Sequence, residues 1–294
     1  NLLEGIREGE KVVSILPLDR ELIQNPEGHY IIFATSQGRI KRSHLSDYVK
    51  INRNGKYALK FAKDNDSLVQ VRPATKEDHV VLVSSMGYAC RFLPSEAKTR
   101  VDAATGESTT THTVRVQGRV SQGVAGMKLQ SGDRVVGMIV TDDFDTSVLT
   151  ISKHGMAKRS RLGSGSMIKI KLEDGTIAQG DDGEPLMERD GYRKTNRGTK
   201  GVRTMALSDG DFIIGVRQIP DLSDQLFMLT EKGMMIRMPA TQTKETLGKV
   251  TKGTRIMELR TKDKKSYADE IVFVARLPSD LVERGDVESD GEEE

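Results

Sequence analysis

The sequence predicts an all-β fold, a propeller-like array of four-stranded modules, and three observations predict it. One hairpin pattern occurs four times, at Ile31–Arg42, Val80–Arg91, Val148–Arg159 and Phe227–Arg237. The composition suits short strands and tight turns: 4% aromatic residues, no tryptophan, 28 glycines and frequent Val, Ile and Thr. The turn glycines are 49, 68 and 78 residues apart, and removing two polar insertions, about Lys98–Arg119 and Gly163–Lys194, brings the period near 50. That is the blade length of a radial β array.

In each hairpin an apolar β-branched run meets a polar turn closed by a glycine, and an arginine follows four residues later. The pairs are Gly38 with Arg42, Gly87 with Arg91, Gly155 with Arg159, and Gly233 with Arg237. Glycine there supplies the positive φ that such turns need. A second glycine-centred segment follows each hairpin, at Asn54–Leu59, Gln122–Met127, Lys200–Met205 and Lys252–Met257. An acid at a turn then precedes an apolar strand: Asp66, Asp133, Asp211 and Asp269. The expected modules are about 29–73, 79–141, 147–219 and 225–277, with a partial one at 1–17 that repeats only the closing half. The insertions, rich in Gly, Asp, Thr and Ser, read as surface loops, the second as an added hairpin.

Cys90 is the only cysteine, which excludes an internal disulfide and a thiolate zinc site and suits a reducing cytoplasm. No apolar run reaches the ~18 residues of a membrane span and no signal-peptide pattern opens the chain, so a cytoplasmic protein with no membrane partner is expected. The start at Asn1 and the partial first module suggest a piece of a longer polypeptide. The net charge is +2, but residues 279–294 hold eight acids against Arg284, so the tail is −7 and the body +9. A basic body points to a polyanionic partner. The tail reads as a disordered solubilising end, or as an acidic mimic of phosphate that competes for the basic surface.

Catalytic signals are weak. His29, His44, His79, His112 and His154 show no metal-ligand spacing, and Asp142-Asp143-Phe144-Asp145 sits where turn acids are expected. Gly198-Thr199-Lys200-Gly201 is too short for a phosphate-binding loop and precedes a strand. No catalytic residue, metal site or cofactor is assigned to these residues. The basic residues are the candidate site: Arg39, Lys41, Arg42, Arg53, Lys56, Arg91, Lys158, Arg159, Arg161, Arg197, Lys200, Arg203, Arg237, Lys252 and Arg255, with DNA phosphates as the ligand. For the repeated arginine two readings stay open. Alternation puts it on the face of Ile40, Ala89, Ala157 and Met235, so it is either partly buried and paired with a turn acid, or a DNA contact. Arg39, Lys41 and Lys158 fall on the opposite face and are expected on a solvated, phosphate-facing rim.

The tandem Gly-x-x-x-Arg hairpins, the Asn196–Val202 type of second segment and the Gly132-Asp133-Arg134-Val135-Val136 type of closer together resemble the C-terminal domain of DNA gyrase A subunits, over most of 2–277. The resemblance implies a β-pinwheel whose basic rim binds and bends duplex DNA. It also implies a place in an A2B2 type IIA topoisomerase with gyrase B subunits and a second A subunit. There, ATP and Mg2+ held by other regions drive strand passage that introduces negative supercoils. The family's Gln-Arg-Arg-Gly-Gly-Lys-Gly type box is absent, Asn196–Gly201 being a degenerate relative, and none of the six tyrosines matches the cleavage tyrosine's context. The alternatives are the corresponding domain of topoisomerase IV, which decatenates, and a propeller-like protein-interaction scaffold.

Overall fold

The computed structural model describes residues 12–50, 55–102, 105–172, 174–246 and 251–281. They are almost entirely β, with short helices at Arg20–Gln24 (α1) and Ser46–Val49 (α2). The chain divides into two compact units, 1–85 with 89–142 and 195–201, and 86–88 with 143–194 and 202–294.

The first unit carries β1 (Tyr30–Thr35), β2 (Arg39–His44), β3 (Leu68–Ala74), β4 (His79–Ser84), β5 (Tyr88–Phe92), β6 (Ala97–Val101), β7 (Ser108–His112), β8 (Val124–Ala125) and β9 (Val135–Thr141). One sheet has the order β3-β1-β2-β8, and β9-β4-β5 repeats its first three places. The central strands β1 and β4 are buried on both faces, which is why they read as unbroken apolar runs rather than as alternation. One face of β1 rests on the N-terminal segment: Ile31, Phe33 and Leu45 pack with Leu16, Leu18, Leu22 and Tyr48.

The second unit carries β10 (Ser147–Ser152), β11 (Met156–Arg161), β12 (Met167–Lys169), β13 (Met187–Arg189), β14 (Val202–Arg203), β15 (Ile213–Ile219), β16 (Gln225–Thr230), β17 (Met235–Pro239), β18 (Thr254–Arg255) and β19 (Ile271–Leu277). Its sheets run β15-β10-β11-β18 and β17-β16-β19. They share a core of Leu149, Ile151, Ile219, Leu226, Met228, Met257, Leu259, Ile271 and Val274.

Two devices recur along the chain, the first of them in every module. The ladder between the first hairpin strand and the closing strand shifts register at Ala34/Thr35, Val83/Ser84, Ile151/Ser152 and Leu229/Thr230. The extra residue lies on the closing strand, opposite a buried Ser or Thr each time, and bends that strand so that the acid just before it reaches the hairpin turn. Asp66 accepts from Thr35 Oγ1 (2.8 Å), Ser36 Oγ (3.0 Å) and Gln37 N (2.9 Å). Asp133 accepts from Ser85 Oγ (2.9 Å), Asp211 from His154 N (3.2 Å) and Asp269 from Lys232 N (3.2 Å). The turn acids therefore hold turns together.

The second device is strand donation. The glycine-centred segment after the second hairpin pairs with the first hairpin, Arg39↔Ala125 and Ile40↔Val124, and the segment after the fourth pairs with the third, Met156↔Arg255 and Ala157↔Thr254. Glycine is required there: a Cβ on Gly123 would lie 2.4 Å from Ile40 O, and one on Gly253 would lie 2.1 Å from Ala157 O. Both hold φ near the left-handed region, +70° and +77°. β17 of the last sheet has no such strand beside it among the described residues, and Met235 on it and Met234 just before it are exposed.

The first insertion is a hairpin too, β6 against β7, where the sequence suggested a loop. Both of its strands are exposed throughout, so they show no alternation of apolar and polar residues that would mark them as strands.

Candidate nucleic-acid interface

The fifteen candidate residues separate by burial. Lys41, Arg42, Arg91, Lys158 and Arg159 are 1–8% exposed; Arg39, Lys56, Arg197, Arg203 and Arg255 are half-buried; Arg161, Lys200, Arg237 and Lys252 are exposed. Arg53 lies outside the described residues, as do Lys249 and the acidic tail beyond Leu281.

Lys41 and Lys158 correct the expectation of a solvated rim. Each occupies the middle of the second hairpin strand, where both faces of the sheet are covered, so alternation moves a side chain from one buried face to the other. Lys41 Nζ donates to Ala58 O (2.6 Å), to Arg119 O and to Tyr48 Oη (3.3 Å), and lies 5.1 Å from the Phe33 ring centroid. Lys158 Nζ donates to Thr204 O at 2.6 Å. Burial pulls both ammonium groups down from 10.5 to about 8, with Asp47 partly opposing the shift at Lys41.

Three of the four repeated arginines are also internal. The Arg42 guanidinium stacks 3.8 Å from the centroid of Tyr30, and Arg91 Nε donates to His79 Nδ1 at 3.3 Å. Arg159 donates to Thr243 O (2.9 Å), Ser147 Oγ (3.3 Å) and Glu245 Oε2 (2.9 Å). Arg237, on the sheet with no donated strand, is exposed.

The remaining cations gather along the donated segments. Arg39 donates from Nε to Gln122 O (2.8 Å) and from Nη2 to Gly123 O (2.7 Å), and Arg197 donates from Nη1 to Ala125 O (3.0 Å). These two arginines, 158 residues apart in sequence, thus hold the ends of one short strand. In the second unit Lys252 reaches Ser208 Oγ (3.1 Å), Arg255 pairs with Glu258 (3.5 Å), and Arg203 donates to Tyr88 Oη (2.7 Å). Lys158, Arg161 and Arg203 converge on one cleft, joined there by Arg189. Sequence reasoning missed Arg189 because it lies inside an insertion and outside the repeat.

Two other features resolve as structural. Asp143 Oδ1 accepts from Asp145 N at 2.9 Å, an Asx turn, and no cluster of metal-ligating side chains occurs among the described residues. His154 stacks on Tyr267 at 3.6 Å between ring centroids, and burial holds its pKa below the usual value. No helix among the described residues is long and apolar enough to cross a membrane.

The family pattern described as DNA gyrase C-terminal domain, beta-propeller, matches residues 29–75, 108–142, 146–164, 187–220 and 224–277. The DNA gyrase A subunit of Staphylococcus epidermidis (strain ATCC 12228 / FDA PCI 1200) is 28% identical over 253 residues, covering 86% of this chain and 23% of that protein. The DNA gyrase A subunit of Rickettsia prowazekii (strain Madrid E) is 28% identical over 285 residues, covering 88% and 29%. The chain spans about a quarter of the length of these curated relatives. Among solved structures, the C-terminal domain of DNA topoisomerase IV matches with a TM-score of 0.68 at 17% identity, covering 97% of this chain and 73% of that one. The DNA gyrase A C-terminal domain matches with a TM-score of 0.59 at 20% identity, covering 86% and 67%. At these identities the structural likeness shows the fold. With its family pattern matched over more than half of its length, including the first, third and fourth hairpins, the chain belongs to the DNA gyrase C-terminal domain family, a β-propeller family of β-pinwheel sheets.

Proposed function

We propose that the chain binds duplex DNA through its phosphates, without reading sequence, and bends it along a basic surface. The observation that carries this reading is the division of the cations. The body is +9, and Arg161, Lys200, Arg237 and Lys252 stand exposed while the buried ones are engaged by protein polar groups or aromatic rings. In a full-length gyrase A protein the bent DNA would serve an ATP-dependent type IIA topoisomerase, an A2B2 assembly with gyrase B in the cytoplasm. ATP, Mg2+ and the cleavage tyrosine would belong to other regions, so this chain by itself should not cut DNA.

Fluorescence anisotropy with random-sequence duplexes tests the reading. Binding should fall linearly on a log–log plot against salt, and neutralising Arg237 or Lys252 should lower the slope by about 1 each, equally for all sequences. Salt-independent binding would refute it and favour a protein-interaction scaffold. The absent first-blade box keeps decatenation as a second reading. Assaying the full-length protein with its gyrase B partner on relaxed and on catenated plasmid separates the two.

A further inference from the structure

The insertion 163–194 is built to a tolerance that a surface loop does not need. At its base Gly163, Gly165 and Gly191 hold positive φ, and a Cβ on them would lie 2.4 Å from Asp190 O, 2.6 Å from Tyr192 O and 2.2 Å from Leu162 O. Backbone bonds lock the same place: Tyr192 N to Leu162 O (2.9 Å), Gly165 N to Asp190 O (2.7 Å) and Asp190 N to Ser166 O (2.9 Å). This base swings Arg189 and Tyr192 over the strand that bears Lys158. Tyr192 is buried, its hydroxyl bonded to that of Thr204, whose carbonyl takes the Lys158 ammonium.

The result is a small open cleft lined by Lys158, Arg161, Arg189 and Arg203 with no carboxylate in its wall. Arg189 and Arg203 are held by neutral oxygens, Gly165 O (2.7 Å) and Tyr88 Oη (2.7 Å). Arg161 meets two acids, Asp145 at 3.0 Å and Asp190 at 3.5 Å, both outside the lining. Three guanidinium forks and an ammonium around a partly apolar wall match an oxyanion that takes several charge-assisted bonds at once.

We propose that this cleft is a discrete phosphate-binding site, completed by the insertion. The shared chemistry is a phosphate group, whether free or carried in a DNA backbone, and the DNA source alone rests on the function proposed above. Lys158, lowered to about 8 by burial, is still mostly protonated at neutral pH.

The test is calorimetric titration of the whole chain with inorganic phosphate against a chloride background of equal ionic strength. Saturable binding is expected, weakened about tenfold or more by Arg189→Gln and by Arg161→Gln and unchanged by Arg39→Gln. Arg189 is half-buried at the rim, so its loss leaves the fold intact, checked by circular dichroism. No saturable phosphate binding, or equal binding in all three variants, overturns the site. A short duplex is then titrated against the phosphate complex. Displacement of phosphate together with weaker duplex binding by Arg189→Gln assigns the site to backbone phosphate; phosphate bound undisturbed assigns it to the free anion. If duplex fails to bind the unmodified chain while phosphate binds, the DNA reading falls and the site stands.

Discussion

Replacing Lys158 by methionine should make the stability of this protein respond differently to pH, by an amount the structure sets. Lys158 is 2% exposed, and burial lowers the pKa of its ammonium from 10.5 to about 8. Below pH 8 both folded and unfolded chains are protonated, so the folded state bears the whole desolvation cost. Between pH 8 and 10.5 the folded lysine releases its proton while the unfolded one keeps it, and stability rises. With those two values the gain between pH 7 and pH 9.5 is about 2 kcal/mol, and Lys158→Met removes it. The methionine also leaves Thr204 O without its donor, a cost of about 1–3 kcal/mol that does not depend on pH. Urea unfolding followed by tyrosine fluorescence, on both proteins at pH 7.0, 8.0, 9.0 and 9.5, measures the difference. Stopping there avoids ionising Tyr192, whose pKa burial raises. A difference between the proteins that stays constant within about 0.5 kcal/mol over that range would show that the ammonium is solvated, and the burial argument would be wrong.

Three further outcomes follow from the same geometry. Gly253→Ala places a Cβ against the Ala157 carbonyl at a left-handed φ and should cost at least about 3 kcal/mol in urea unfolding, whereas Gly28→Ala, at φ +76° in open space, should cost about 1 kcal/mol. Asp66→Ala strands the hydroxyls of Thr35 and Ser36 and the amide of Gln37, and should lower stability by about 3 kcal/mol, visible as early hydrogen exchange in the first hairpin turn. Arg159→Ala, which unpairs Glu245 and frees Thr243 O, should cost about 3 kcal/mol, while Arg237→Ala, at an equivalent repeat position, should stay within about 0.5 kcal/mol and act on DNA affinity instead.

Much of this molecule was legible in the chain because its signals are local. A glycine four residues before an arginine and an acid ahead of the next strand each act within one module, through φ and a turn cap. Four repetitions in register turned those weak signs into a fold. The candidate site was legible only in part. Alternation put the repeated arginine on the apolar face, and Arg42, Arg91 and Arg159 are indeed buried, but it also sent Lys41 and Lys158 to a solvated face.

Sequence by itself determined the repeating unit, its turns and the basic character of the body. Only the tertiary structure decided which segment completes which hairpin, because the edge of a strand carries no local mark of a partner 80 or so residues away. It also decided that the central hairpin strands of the first three modules are covered on both faces, so that a period of two no longer separates inside from outside there. The cleft around Arg189 belongs to that second class: its cations come from three separate stretches of chain, and their meeting depends on where an insertion folds back.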